Sequence, residues 1–139
     1  MAMAAKTVSH LVTAEELAGI SVPGKAIELV RGALVVQEPP STHHGRVAAR
    51  LAYLVSDHVQ RHELGVVIQD AGFKIESDPD TVRAPDIAFV GRSRVGEIPS
   101  TGFAQFAPDL AAEVVSPNDC IGEMLVKVGQ WIDAGSRLV

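Results

Sequence analysis

The sequence predicts a domain of the α/β or α+β class, with a mixed β-sheet flanked by helices. Three observations carry that expectation. Short apolar runs bounded by Gly, Pro, Asn and Asp lie on both sides of a long stretch with helical periodicity. A second helical stretch closes the chain. Between the two, two runs that read as buried strands each hold a carboxylate, Asp86 and Glu113.

The elements follow in order. Residues 1–12 read as an N-terminal tail and residues 13–139 as one domain, since 139 residues suffice for a single modest core. Thr13 and Glu16 form a capping-box pattern ahead of a short helix. Residues 26–30 and 33–37 read as a hairpin tightly joined at Arg31-Gly32, and Pro39-Pro40 stops its second strand. From residue 44 to 62, Val47, Leu51, Leu54, Val55 and Val59 recur at helical spacing, with Arg46, Arg50, Asp57, Gln60 and Arg61 on much of the other side. Residues 66–69 and 72–76 read as a second strand pair bent at Asp70-Ala71-Gly72, and Asp78-Pro79-Asp80 as a turn.

Residues 82–90 and 110–115 are the carboxylate-bearing strands, and the loop joining them spans residues 91–108. Ser116-Pro117-Asn118-Asp119 precedes a last helix over residues 121–134, with Ile121, Leu125, Val128 and Ile132 as its expected buried stripe and Gly135 in the left-handed position beyond it. Residues 136–139 begin another strand. The expectation is either a truncated domain or a strand supplied in part by a partner.

Composition narrows the classes. A hydrophobic fraction of 47% excludes a disordered tail. No apolar run approaches the roughly 20 residues of a membrane span, and the N-terminus lacks a signal-peptide pattern. The single cysteine, Cys120, excludes an intrachain disulfide and suits the cytoplasm; near a helix start it is expected to pack as a small apolar residue. A net charge of −5 argues mildly against nonspecific nucleic-acid binding. A metal nuclease escapes that objection, because its site is built from carboxylates and a bound cation reverses the local field.

The chemistry-bearing residues each admit two readings. Asp86 either caps a turn or pairs with Arg83 at a strand entrance, or else serves as a ligand. Glu113 sits in an otherwise uncharged alternating run and needs a cation, whether a basic side chain or a metal. Glu28 lies among apolar neighbours and either joins that site, holding a second cation or positioning water, or pairs with Arg31 or Lys25. Lys127 either forms an exposed i,i+4 pair with Glu123 or reaches along its helix toward the sheet. His44, beside Arg46 at a helix start, can contact an anion there. His58 and His62 have metal-ligand spacing but lack the glutamate of His-Glu-x-x-His, since Val59 stands there; both are expected partly buried or at an interface.

Taken as an ordered set, these residues are similar to a known family. Glu28-Leu29-Val30-Arg31-Gly32 with Leu34-Val35-Val36, Pro39-Pro40-Ser41 with His44, and Val82-Arg83-Ala84-Pro85-Asp86-Ile87 make the first part. Pro108-Asp109-Leu110, Glu113-Val114-Val115-Ser116-Pro117, Lys127 and Ala134-Gly135 make the second. The chain from about Thr13 onward resembles the Uma-two-type restriction endonucleases, a domain of unknown function within the PD-(D/E)XK nuclease superfamily.

The resemblance implies a restriction-endonuclease-like fold and a divalent-metal-dependent DNA endonuclease. Asp86 and Glu113, with the backbone carbonyl of Val114, would hold Mg²⁺ or Mn²⁺. The superfamily lysine would belong at Val115, and its displacement onto the next helix makes Lys127 the candidate. Glu28 would complete the catalytic set. Apart from the resemblance, His44 and Arg46 at the helix start are the expected nucleic-acid contacts, and an unfinished sheet edge predicts a homo-oligomer, a dimer above all. The alternative is a catalytically silent module that keeps the fold for binding or dimerisation.

Overall fold

The structure, a computed structural model, describes residues 10–139, so residues 1–9 of the expected tail lie outside it. Its class is the expected one: helices packed with antiparallel strands that divide into two sheets. No helix among the described residues is long and apolar enough to cross a membrane.

Helix α1 (Ala14–Ala18) begins at Thr13, whose hydroxyl accepts from the Glu16 amide while the Glu16 carboxylate accepts from the Thr13 amide. That reciprocal bonding is the capping box read from the sequence. Strands β1 (Ala26–Val30) and β2 (Ala33–Gln37) pair antiparallel, with Val30 opposite Ala33. Arg31 and Gly32 connect them with φ of 48° and 80°, the paired left-handed conformations of a type I′ turn. Helix α2 (Thr42–Arg61) is capped by Ser41 and packs on β3 (Gly65–Gln69). Its buried face is Ala52 and Val59 with half-buried Leu51 and Val55; Val47 and Leu54 are exposed.

The expected strand pair at residues 66–76 does not form. Strand β3 joins β6 (Ile87–Gly91), whereas β4 (Phe73–Glu76) joins β5 (Thr81–Arg83), so the bend at residues 70–72 carries the chain from one sheet to the other. The expected strand over residues 82–90 likewise breaks in two. Ala84-Pro85-Asp86 interrupts it, because Pro85 has no amide to give a ladder and holds its predecessor extended. One sheet has the order β2-β1-β5-β4 and the other β3-β6-β7, with β7 at Leu110–Ala112. Among the described residues parallel pairing survives only as bridges, including Leu110 with Leu138, which is all that the expected last strand amounts to.

Helix α3 (Ile121–Asp133) corrects another expectation. Ile121 is 74% exposed, and Leu125 and Ile132 face outward with it. The inward face is Met124, Lys127, Val128 and Trp131 instead. Trp131 is wholly buried in a core with Phe73, Ala88, Val90, Ala104, Ala107 and Ala111, its ring edge-on to Phe73 at 6.2 Å. The largest apolar side chain and the partner sought by Glu113 together set the rotation of the helix. Cys120, expected to pack inward, is the exposed N-cap. His58 and His62 are also exposed rather than partly buried, with their rings 4.5 Å apart.

Candidate active site

The break between β5 and β6, the end of β7 and the inward face of α3 meet over β1. Glu28, mid-strand on β1, is 2% exposed. Its oxygens accept from Arg83 Nη1 and Gln37 Nε2, both at 2.9 Å, and from the Ala84 amide at 2.8 Å. Lys127 Nζ lies 3.1 Å away. The partners expected from neighbouring sequence, Arg31 and Lys25, play no part; Lys25 pairs with Glu38. Glu28 is thus saturated with donors and acts as the floor of the site.

Glu113 follows directly after β7 rather than within it. Lys127 Nζ donates to its Oε2 at 3.1 Å and Trp131 Nε1 to its Oε1 at 3.1 Å. Burial pushes its carboxyl above the ordinary carboxylate range; Lys127 and Trp131 oppose that shift, and neighbouring Asp86 adds to it. Lys127 makes no outward pair with Glu123. It joins the Glu28 carboxylate of β1 to the Glu113 carboxylate just after β7, the inward alternative left open by the helical wheel.

Asp86 sits at the break itself. Its Oδ2 accepts from the Val114 amide at 2.6 Å, which ties the β5–β6 junction to the segment after β7. His44 Nε2 lies 3.4 Å from the same oxygen, too long for a strong hydrogen bond. The ring turns inward from the first turn of α2, and its Nδ1 is buried with no hydrogen-bond partner. Arg46 is exposed on α2 and does not line the cleft. Arg83, considered as a partner for Asp86, bonds instead to Glu28 and to Gln130 Oε1.

These residues border a cleft of about 920 Å³, walled by Val35, Pro39, Pro40, Pro117 and Met124 and containing Asp86, Glu113, His44 and Lys127. The expected residues Asp86, Glu113 and Lys127 therefore converge, with Glu28 immediately beneath. The supporting residues Arg83, Gln37, Gln130 and Trp131 were missed as such. Only Arg83 had a signal, a lone cation in the apolar run before Pro85.

Carboxylate oxygens are the donor type that a hard divalent cation takes. Three carboxylates, Glu28, Asp86 and Glu113, lie beside two cations, Arg83 and Lys127. Among the described residues no three His, Cys, Asp or Glu side chains cluster closely enough to cage an ion. An ion here would be completed by backbone and water oxygens, as Mg²⁺ commonly is.

Comparison with known proteins gives this geometry a family. A family model, Uma2, described as "Putative restriction endonuclease", matches residues 14–139. The chain belongs to the Uma2 family. A crystal structure from Anabaena variabilis, titled as a putative nuclease belonging to DUF820, superposes with a TM-score of 0.75. It shares 17% identity over 92% of this chain and 73% of its own, a likeness of fold. Among curated proteins no sequence matches. Uma2 membership agrees with the resemblance read from the ordered residues, and the shared architecture with a nuclease-fold neighbour agrees with the fold expected.

Proposed function

We propose that this Uma2 protein is a divalent-metal-dependent DNA endonuclease that hydrolyses phosphodiester bonds. The observation that carries the reading is Lys127, whose ammonium bridges Glu113 and Glu28 in the cleft that holds Asp86. In this reading Lys127 stands in, from the next helix, for the cation missing at Val115.

In this reading Asp86 and Glu113, with the Val114 carbonyl, hold Mg²⁺ or Mn²⁺. The ion, when bound, supplies Lewis acidity and a bound water of lowered pKa. Lys127 presents a charged donor to a phosphate oxygen or to the attacking water, offsetting charge that develops in the transition state. Glu28 and Trp131 position Lys127 and Glu113. Arg83 neutralises Glu28, which leaves Lys127 less tightly held by that carboxylate. His44 orients a water or phosphate group beside Asp86, and Arg46 on the outer face of α2 meets the nucleic-acid backbone. A homodimer in the cytoplasm completes the proposal.

A second reading, a silent binding or dimerisation module, is favoured by one feature: both Glu113 oxygens are already engaged, by Lys127 and Trp131. The test is cleavage of supercoiled plasmid with Mg²⁺ or Mn²⁺, beside calorimetric titration of the ions. Cleavage that Asp86→Asn reduces at least about a hundredfold supports the endonuclease. Undiminished cleavage by that variant overturns the assignment of the site. Absence of both ion binding and cleavage establishes the silent module.

A further inference from the structure

Strand β2 is the outer edge of its sheet and hydrogen-bonds only to β1 among the described residues. Edge strands are ordinarily protected by charge, proline, a bulge or a covering element. The edge strand β4 carries Lys74 and Glu76 and a register shift between them. The edge strand β3 is half-buried and packed against α2 and the 3-10 helix Arg92–Glu97. In β2, Ala-Leu-Val-Val-Gln, there is no charge and no proline, and its register against β1 is unbroken. Leu34 and Val36 are 41% and 52% exposed.

We infer that β2 is a self-association edge: two copies of this chain pair β2 antiparallel to β2 about a two-fold axis at Val35. The hairpin determines the register. In a two-residue hairpin the residues flanking the turn, Val30 and Ala33, exchange hydrogen bonds, so Ala33, Val35 and Gln37 bond inward to β1. The amides and carbonyls of Leu34 and Val36 therefore point outward. Setting Leu34 of one copy opposite Val36 of the other satisfies both residues twice over and places Val35 on the axis. The same arrangement stacks the exposed Leu34 and Val36 side chains against each other across the junction. It also brings Arg31, at one end of β2, near the partner strand's end, where Glu38 pairs with Lys25.

The arrangement has a functional consequence, which rests on the nuclease reading above. A two-fold axis perpendicular to the sheet keeps each face continuous. Val35 and Gln37 line the cleft, so both clefts open on the same face of the joined sheet. Glu28 is directly opposite Val35 in register. The two Glu28 residues are then three strand spacings apart, about 14 Å. That spacing is on the order of the grooves of duplex DNA, about 12 Å across the major groove, so two clefts address the two strands of one duplex.

The register permits a charge-swap test by sedimentation velocity on the 139-residue chain, with circular dichroism to confirm folding. The double variant Leu34→Lys/Val36→Lys opposes like charges at both cross-strand positions and should weaken dimerisation roughly ten- to hundredfold. The variant Leu34→Lys/Val36→Glu opposes unlike charges at the same positions and should restore the dimer. A wild-type chain that is monomeric at about 100 μM, far above the dissociation constant of a specific pair, overturns the inference. So does the same oligomeric state in both folded variants. On supercoiled plasmid, the unlike-charge variant should yield linear product and the like-charge variant nicked circles. If no form cleaves, the nuclease reading falls alone, because sedimentation still decides the pairing.

Discussion

Lys127 Nζ lies 3.0 Å from Glu113 Oε1 and, on its other side, 3.1 Å from Glu28 Oε1. One ammonium on α3 thus ties the β1 carboxylate to the carboxylate just beyond the end of β7. All three side chains are largely shielded from water, so the contacts are little screened. Removing the cation leaves Glu113 buried with only the Trp131 indole as donor. Lys127→Met should therefore destabilise the fold by about 3 kcal/mol, the cost typical of breaking a buried pair. Urea denaturation measures this, and plasmid cleavage should vanish in the same variant. A variant as stable as the parent would show that the bridge contributes nothing to holding the sheets together.

A second carboxylate, Asp80, sets a pH dependence outside the cleft lining. Its Oδ2 accepts from the Ala14 amide at 2.8 Å, anchoring the start of α1, and lies 3.0 Å from Lys74 Nζ. The Ala14 hydrogen bond holds its pKa below the ordinary value; burial opposes the shift and Lys74 reinforces it. A lowered folded pKa means that the stabilisation is fully present above the unfolded pKa, about 3.9. It is lost as pH falls through the folded value. Stability measured between pH 7 and pH 2 should fall at the acid end, and Asp80→Asn should flatten that fall while costing about 1–2 kcal/mol at pH 7.

Two glycines should respond oppositely to alanine. Gly65 opens β3 with φ of 154°, and a Cβ there would run into the Val90 carbonyl oxygen of the paired strand. Gly65→Ala should cost about 2–4 kcal/mol, because backbone rather than a flexible side chain must yield. Gly129 lies within α3 with open space around its Cα. Gly129→Ala should stabilise the protein by about 0.5–1 kcal/mol through helix propensity. Thermal melts of the two variants should move in opposite directions.

The local elements were largely legible in the sequence, because their causes are local. Thr13 with Glu16, Arg31-Gly32 between two apolar runs, and the long periodic stretch after Ser41 each dictate a cap, a turn or a helix through near neighbours. What misled were features decided by distant partners. The run through Asp86 reads as one strand, yet Pro85 divides it between two sheets. The α3 wheel favours Ile121, Leu125 and Ile132, yet Trp131 fills the core and Lys127 finds Glu28 and Glu113. Periodicity reveals that a helix has an apolar face without revealing which of two such faces has a partner.

The candidate site divides the same way. The sequence by itself determined that Asp86, Glu113 and Glu28 were costly among apolar neighbours and required compensation, since an unpaired charge is penalised wherever it is buried. It also determined, through the order of its matched residues, the Uma2 family. Only the tertiary structure decided how the charges are compensated: Arg83 and Lys127 for Glu28, Lys127 and Trp131 for Glu113, and the Val114 amide for Asp86. Those partners lie 14 to 99 residues away along the chain and meet only where the two sheets and α3 close together. Hydrogen bonds and ion pairs act over a few ångströms, so no spacing within the sequence could have named them.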